Sequence, residues 1–363
     1  MKRLLIAGGG TGGHLYPGVA VAMEARKEGF EVLFIGTEKG IEARVLPREG
    51  FRLRTIKAGR LKGMGMAEKI RTLAGIPGGI YQAAGIIREF GPQAVIGVGG
   101  YASFPAVAAA RLAGIPVVIQ EQNAYPGLTN RVLGKIADAV AIGFEEAAGF
   151  FPKGRSVFTG NPIRGGMLAV DRGAALDAWG LKADRFTVLV FGGSGGAHRI
   201  NKGMTDAIAV FAGLEDIMQF IHQTGEKDLA MVESVYAGSG FEAKVSPFIY
   251  DMAGAYACAD LVVCRSGALT LAELTALGKP ALLVPYPHAA NNHQEANARA
   301  LEKAGAARVI MDSDATGDRL AAEIKGLMHD NDALAGMSGR CIALGKPGAA
   351  GAVLRLVKSL MKG

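Results

Sequence analysis

The chain counts 363 residues with a formal net charge of +7, half of them hydrophobic and 20% charged. That balance excludes a disordered or fibrous protein and leaves room for two ordinary domains. The positive excess admits an acidic partner, whether nucleotide, nucleic acid or anionic membrane surface, and does not choose among them.

Met1-Lys2-Arg3 followed by the apolar run Leu4–Ala7 imitates the start of a signal peptide, but Gly8 to Gly13 cut the run short, so a first β-strand is expected. Gly8-x-Gly10-x-x-Gly13 matches the dinucleotide fingerprint, which keeps a nicotinamide oxidoreductase open as a reading. The acid that this fingerprint expects near the end of the second strand would be Glu38, yet it follows Gly36-Thr37 rather than ending the strand. His14 stands where the glycine loop enters a helix, Pro17 to Glu28, and either takes a proton or simply hydrogen-bonds a phosphate or caps the turn.

Strand-like runs follow at Val32–Ile35, Ala94–Val98, Val117–Gln120 and Ala139–Ile142, alternating with helix-compatible stretches such as Phe104–Leu112. This rhythm predicts a doubly wound parallel sheet. Between them, Arg52, Arg54, Lys57, Arg60, Lys62, Lys69 and Arg71 face a single acid, Glu68, with Ile70, Leu73, Ile76 and Ile80 close behind. Such a stretch suits an anionic membrane surface or is an ordinary solvated face; aromatics are too sparse for a single-stranded nucleic-acid platform. The longest uncharged run, Phe90 to Ala110, is interrupted by Gly91, Pro92, Gly97, Gly99, Gly100 and Pro105, so no membrane-spanning helix is expected.

Asn161-Pro162 marks a break, and a second strand series begins: Thr187–Phe191, Met218–Gln223, Lys244–Phe248, Leu261–Cys264 and Ala281–Pro285. Its first strand runs into Gly192-Gly193-Ser194-Gly195-Gly196-Ala197-His198, an echo of the first turn. The echo points to two α/β halves around one cleft with a phosphorylated ligand, because glycine turns that open helices aim N–H groups at an anion. Ser266-Gly267 likewise ends a strand, and Glu273 lies about two turns into the helix that follows, where a carboxylate suits two vicinal hydroxyls unless it is merely solvated. His288 and His293 form a weak candidate metal pair in a proline-containing loop. Cys258, Cys264 and Cys341 show no paired spacing, which favours buried thiols and a reducing compartment; Ala349–Leu360 reads as a closing helix.

Taken together, Gly9-Gly10-Thr11-Gly12-Gly13-His14, Gly99-Gly100-Tyr101, Glu121-Gln122-Asn123, Thr159 to Arg164, Cys264 to Glu273 and Asn292-His293-Gln294 make the chain resemble the MurG family end to end. These are UDP-N-acetylglucosamine transferases that convert undecaprenyl-diphospho-N-acetylmuramoyl-pentapeptide, lipid I, to lipid II of peptidoglycan. The resemblance implies a GT-B fold of two Rossmann-like domains, 1–162 on the acceptor and membrane side and 163–345 for the donor, with 346–363 closing the chain. It implies an inverting displacement with His14 as base and Glu121 as the alternative base.

On the same footing, Thr11, Gly12, Gly13, Asn123, Arg164, Ser194, Ile249, Ala268, Leu269, Thr270, Leu271, Ala272, Glu273 and Gln294 would hold UDP-N-acetylglucosamine, with Tyr101 a weaker acceptor-side candidate. No metal or cofactor is required on this reading, the partners are the donor, lipid I and the anionic cytoplasmic membrane face, bound peripherally, and nucleic acid is excluded. A UDP-N-acetylglucosamine 2-epimerase is the alternative within the same architecture. Gly195 departs from the family's usual glutamine, while the backbone anion nest should survive.

Overall fold

The structure, a computed structural model, describes residues 1–38, 40–58, 66–193, 195–289 and 292–361, with 66–74 as backbone only. It contains two compact units, Met1–Arg164 with Lys346–Gly363, and Gly165–Gly345.

The first unit holds β1 (Arg3–Gly8), β2 (Glu31–Gly36), β3 (Arg52–Thr55), β4 (Ala94–Gly99), β5 (Val117–Glu121), β6 (Ala139–Ile142) and β7 (Ser156–Phe158), in the order β3-β2-β1-β4-β5-β6-β7. The second holds β8 (Phe186–Phe191), β9 (Met218–Gln223), β10 (Glu242–Ser246), β11 (Leu261–Cys264), β12 (Ala281–Leu283) and β13 (Ala307–Val309), in the order β10-β9-β8-β11-β12-β13. Every pairing is parallel, and both sheets reverse their strand order once, between β1 and β4 and between β8 and β11. Ligands of such sheets bind beyond the carboxyl ends at these switch points.

Strand residues alternate between two buried faces, which is why the central strands read as unbroken apolar runs. In the first unit Leu5, Ala7, Val95 and Ile119 pack with Ala83, Ile87 and Val107 on one face. Leu4, Ile6, Phe34 and Ile96 pack with Val19 and Ala22 of the helix Gly12–Lys27 on the other, joined by Val353, Leu354 and Val357 of the helix Ala349–Leu360. In the second unit Val188, Val190 and Phe220 meet Ile200, Met204, Leu320 and Ile324.

Three strands were not expected from sequence, β3, β7 and β13, and each is an edge. Edge strands are short and need no apolar run; Arg52 to Thr55 is largely exposed and reads as part of a basic stretch. The expected strand Lys244–Phe248 instead spans Glu242–Ser246, because Pro247 cannot donate to the ladder. All three cysteines are free and buried, and desolvation pushes the thiols of Cys258 and Cys341 up to about 11.

Candidate functional site

At the first switch point the turns after β1 and β4 lie backbone on backbone. The Gly9 N–H donates to the Gly99 carbonyl at 3.2 Å. Gly100 has φ +81°, and a Cβ there would stand 2.2 Å from the Gly9 carbonyl oxygen, so only glycine closes this junction. The helix Gly12–Lys27 opens from an extended Thr11 that forms no side-chain cap, so the amides of its first turn look outward from Thr11, Gly12 and Gly13. His14 follows on that turn, half-buried, with Nδ1 2.9 Å from Gln122 Oε1. Tyr101 packs by Gly10 of the same turn, where a Cβ would touch its ring at 3.6 Å. Arg164 stacks its guanidinium 5.0 Å from the centroid of the Tyr16 ring in the same unit.

Two buried carboxylates shape this edge. Glu42, 1% exposed, accepts the Gly10 N–H and both the N–H and hydroxyl of Thr37, all at 2.8 Å. Sequence reasoning missed it, since nothing local marks a glutamate that reaches back to position 10. Its consequence is chemical: the second glycine of the apparent dinucleotide fingerprint spends its amide on an internal carboxylate, where a pyrophosphate would have to sit. The nicotinamide reading loses its anchor there.

Glu121, the alternative base, is also turned inward and is 1% exposed. Its oxygens accept from the Asn123 N–H at 2.8 Å, Asn123 Nδ2 at 3.2 Å, the Gly127 N–H at 3.2 Å and Asn130 Nδ2 at 2.9 Å. A carboxylate so fully engaged orders the loop that carries Asn123; taking a proton from a substrate hydroxyl would sacrifice those bonds. This geometry leaves His14 as the better candidate base.

In the second unit Ser194 lies outside the described residues, while the rest of its turn is held by β9. A Cβ on Gly196, φ +75°, would stand 1.9 Å from the Thr224 carbonyl oxygen. Buried Gln223 donates from Nε2 to the Gly193 carbonyl and accepts the Ile249 N–H on Oε1, each at 2.8 Å, so one side chain ties the glycine turn to the segment after β10. The Ile249 N–H is therefore engaged within the protein.

Beneath the turn, Asn201 Nδ2 donates to the Thr224 carbonyl and to Asp228, each at 2.8 Å, and Asn201 Oδ1 lies 3.1 Å from His222 Nε2. Burial lowers the His222 pKa to about 3, which keeps the imidazole neutral.

The helix Ala268–Leu277 follows β11 with an extended Gly267 at its start and no side-chain cap, so the amides of Ala268, Leu269 and Thr270 stand at a helix N-terminus. Leu271 and Ala272 continue that helix, with Leu271 turned into the interior. Glu273, partly buried, accepts the Tyr256 hydroxyl on Oε2 at 3.0 Å. Gln294 accepts the Tyr286 N–H at 3.0 Å, and its carbonyl accepts the Ser266 hydroxyl at 2.7 Å, which ties the helix His293–Lys303 to the turn after β11.

Among the described residues no cluster of three or more His, Cys, Asp or Glu could hold a metal ion, and no helix is long and apolar enough to cross a membrane. In the basic stretch Arg52 pairs with Glu31 at 2.9 Å and Arg54 with Glu89 at 3.0 Å. Arg60 and Lys62 lie outside the described residues, as do the side chains of Glu68, Lys69 and Arg71.

Two parallel sheets that share one strand order over six strands, each with glycine turns at its switch point, are those of the GT-B fold, and the family models that match both halves make the chain a two-domain α/β glycosyltransferase. The Glycosyltransferase family 28 N-terminal domain matches residues 4–142 and the Glycosyltransferase family 28 C-terminal domain residues 187–350. The chain belongs to the MurG family within glycosyltransferase family 28. It is 48% identical to the UDP-N-acetylglucosamine--N-acetylmuramyl-(pentapeptide) pyrophosphoryl-undecaprenol N-acetylglucosamine transferase of Citrifermentans bemidjiense, over 98% of this chain and 99% of that one. The crystal structure of Acinetobacter baumannii MurG superposes with a TM-score of 0.76 at 31% identity, covering 99% of this chain and 100% of that one. The UDP-GlcNAc 2-epimerase of Neisseria meningitidis, TM-score 0.71 at 13% identity over 99% of this chain and 100% of that one, shares the fold alone.

Proposed function

We infer that this chain transfers N-acetylglucosamine from UDP-N-acetylglucosamine to the C4 hydroxyl of the N-acetylmuramic acid in lipid I, forming lipid II for peptidoglycan. The single observation that carries the reading is its full-length likeness to transferases of that name. On this reading the donor is held by the second unit: the amides opening the helix Ala268–Leu277 face the diphosphate, Glu273 accepts the ribose hydroxyls, the Ile249 carbonyl meets uracil and Gln294 meets the sugar. The family resemblance further assigns Ser194 and Arg164 to the diphosphate, Asn123 to the sugar and Thr11, Gly12 and Gly13 to the donor, and it gives the acceptor to the first unit. The opposite order would place a diphosphate against the Glu42 carboxylate.

Chemistry proceeds as one inverting displacement. The acceptor hydroxyl attacks the anomeric carbon, its proton passes to His14, the bond from that carbon to the diphosphate oxygen breaks, and the electron pair departs with UDP. Helix N-termini and Arg164 stabilise the leaving charge, so that no protein-bound metal is called for. Association with the anionic cytoplasmic membrane face is peripheral and electrostatic, through the basic stretch from Arg52 to Arg71.

A transfer assay with labelled UDP-N-acetylglucosamine and a lipid I analogue tests this. Label in a β-linked disaccharide lipid is the expected product. Conversion of the donor to its 2-epimer without acceptor, or no turnover at all, would refute it.

A further inference from the structure

The His14 ring is oriented by a chain of buried amides whose directions are fixed by the backbone. Gln120, Gln122 and Asn161 are 0%, 2% and 4% exposed. Asn161 Nδ2 donates to the Gln122 carbonyl at 2.8 Å, and a carbonyl can only accept, so Asn161 Oδ1 faces Gln120 Nε2 at 3.1 Å. Gln120 Oε1 is then left to accept from Gln122 Nε2. That same nitrogen meets two more oxygens that cannot donate, the Val98 carbonyl at 2.9 Å and the Gln120 carbonyl at 3.2 Å. Turning the Gln122 amide over would set oxygen against three oxygens. Its Oε1 therefore faces His14 Nδ1 at 2.9 Å.

Two glycines make room for the array. A Cβ at Gly143 would lie 2.2 Å from Asn161 Oδ1, and one at Gly99 3.0 Å from His14 Nδ1.

An amide oxygen has no proton to give, so the bond to Gln122 exists only if Nδ1 carries the hydrogen. We propose that Gln122 is a positioning residue that fixes the tautomer of His14, leaving the lone pair on Nε2 to take the proton of the acceptor hydroxyl. The inference rests on the reading of His14 as base. A neutral amide sets the ring without adding a negative charge beside it, unlike the carboxylate that orients histidine in a Ser-His-Asp triad.

The test separates the two claims. With histidine labelled by nitrogen-15 in the full chain, the His14 resonances, assigned by their loss in His14→Ala, should show hydrogen on Nδ1 and a bare Nε2 in the neutral ring; hydrogen on Nε2 overturns the proposal whatever the activity. Gln122→Leu should lower kcat by roughly 10- to 100-fold with KM for UDP-N-acetylglucosamine unchanged, and should move hydrogen onto Nε2. A folded Gln122→Leu with the kcat of the unaltered chain also overturns it, and if that variant does not fold, the spectrum of the unaltered chain decides. Should His14→Ala keep full turnover, the base assignment falls while the tautomer measurement still judges Gln122.

Discussion

His222 ends up fully buried, between the Tyr236 hydroxyl at 3.3 Å and Asn201 Oδ1 at 3.1 Å, with its pKa lowered to about 3 by desolvation. The unfolded chain takes a proton on this ring below about pH 6.5 and the folded chain does not, so stability is complete above that value and declines as pH falls toward 3. The slope is about 1.4 kcal/mol per pH unit, or about 2 kcal/mol lost by pH 5. Urea unfolding at pH 7 and pH 5 should show His222→Gln losing less stability between the two than the unaltered chain; equal losses would show that the ring titrates normally. His14 was legible because it sits in a local motif. Glu42 and Gln223 were not, and Gln122 stood in the motif Glu121-Gln122-Asn123 without a readable role, because each does its work on a partner far along the chain, at Gly10, Ile249 and His14.

Each switch-point turn is decided by what its own backbone touches. In the turn after β8, Gly196 needs its left-handed φ and the space against the Thr224 carbonyl, whereas Gly195 lies outside the left-handed region and a Cβ there meets nothing within 4 Å. Gly196→Ala should therefore cost about 1–3 kcal/mol and weaken UDP binding measured by calorimetry. Gly195→Gln should change stability by no more than about 1 kcal/mol, so the glutamine usual at this position in the family is absent for no steric reason. A tolerated Gly196→Ala or a collapsing Gly195→Gln would contradict this account. The central strands were readable as apolar runs; β3, β7 and β13 were not, since an edge buries too little to leave a pattern.

At the scale of the whole molecule, the last helix, Ala349–Leu360, completes the first unit although the entire second unit intervenes in sequence. Val353, Leu354 and Val357 are each 0% exposed, and burying such side chains contributes about 1.5–3 kcal/mol apiece. Deleting residues 346–363 should cost the first unit several kcal/mol: hydrogen exchange should quicken in β1 and β4 and stay slow in β8 and β11. Unchanged protection in β1 would count against it.

The sequence by itself determined the two parallel α/β halves, their glycine turns and the family, because apolar period, glycine placement and motif order are all local properties of the chain. Only the tertiary structure decided that Glu42 fills the first turn, that Glu121 is bound inward, and that a row of amides turns His14, because hydrogen-bond direction at a buried atom depends on which distant groups the fold brings to it.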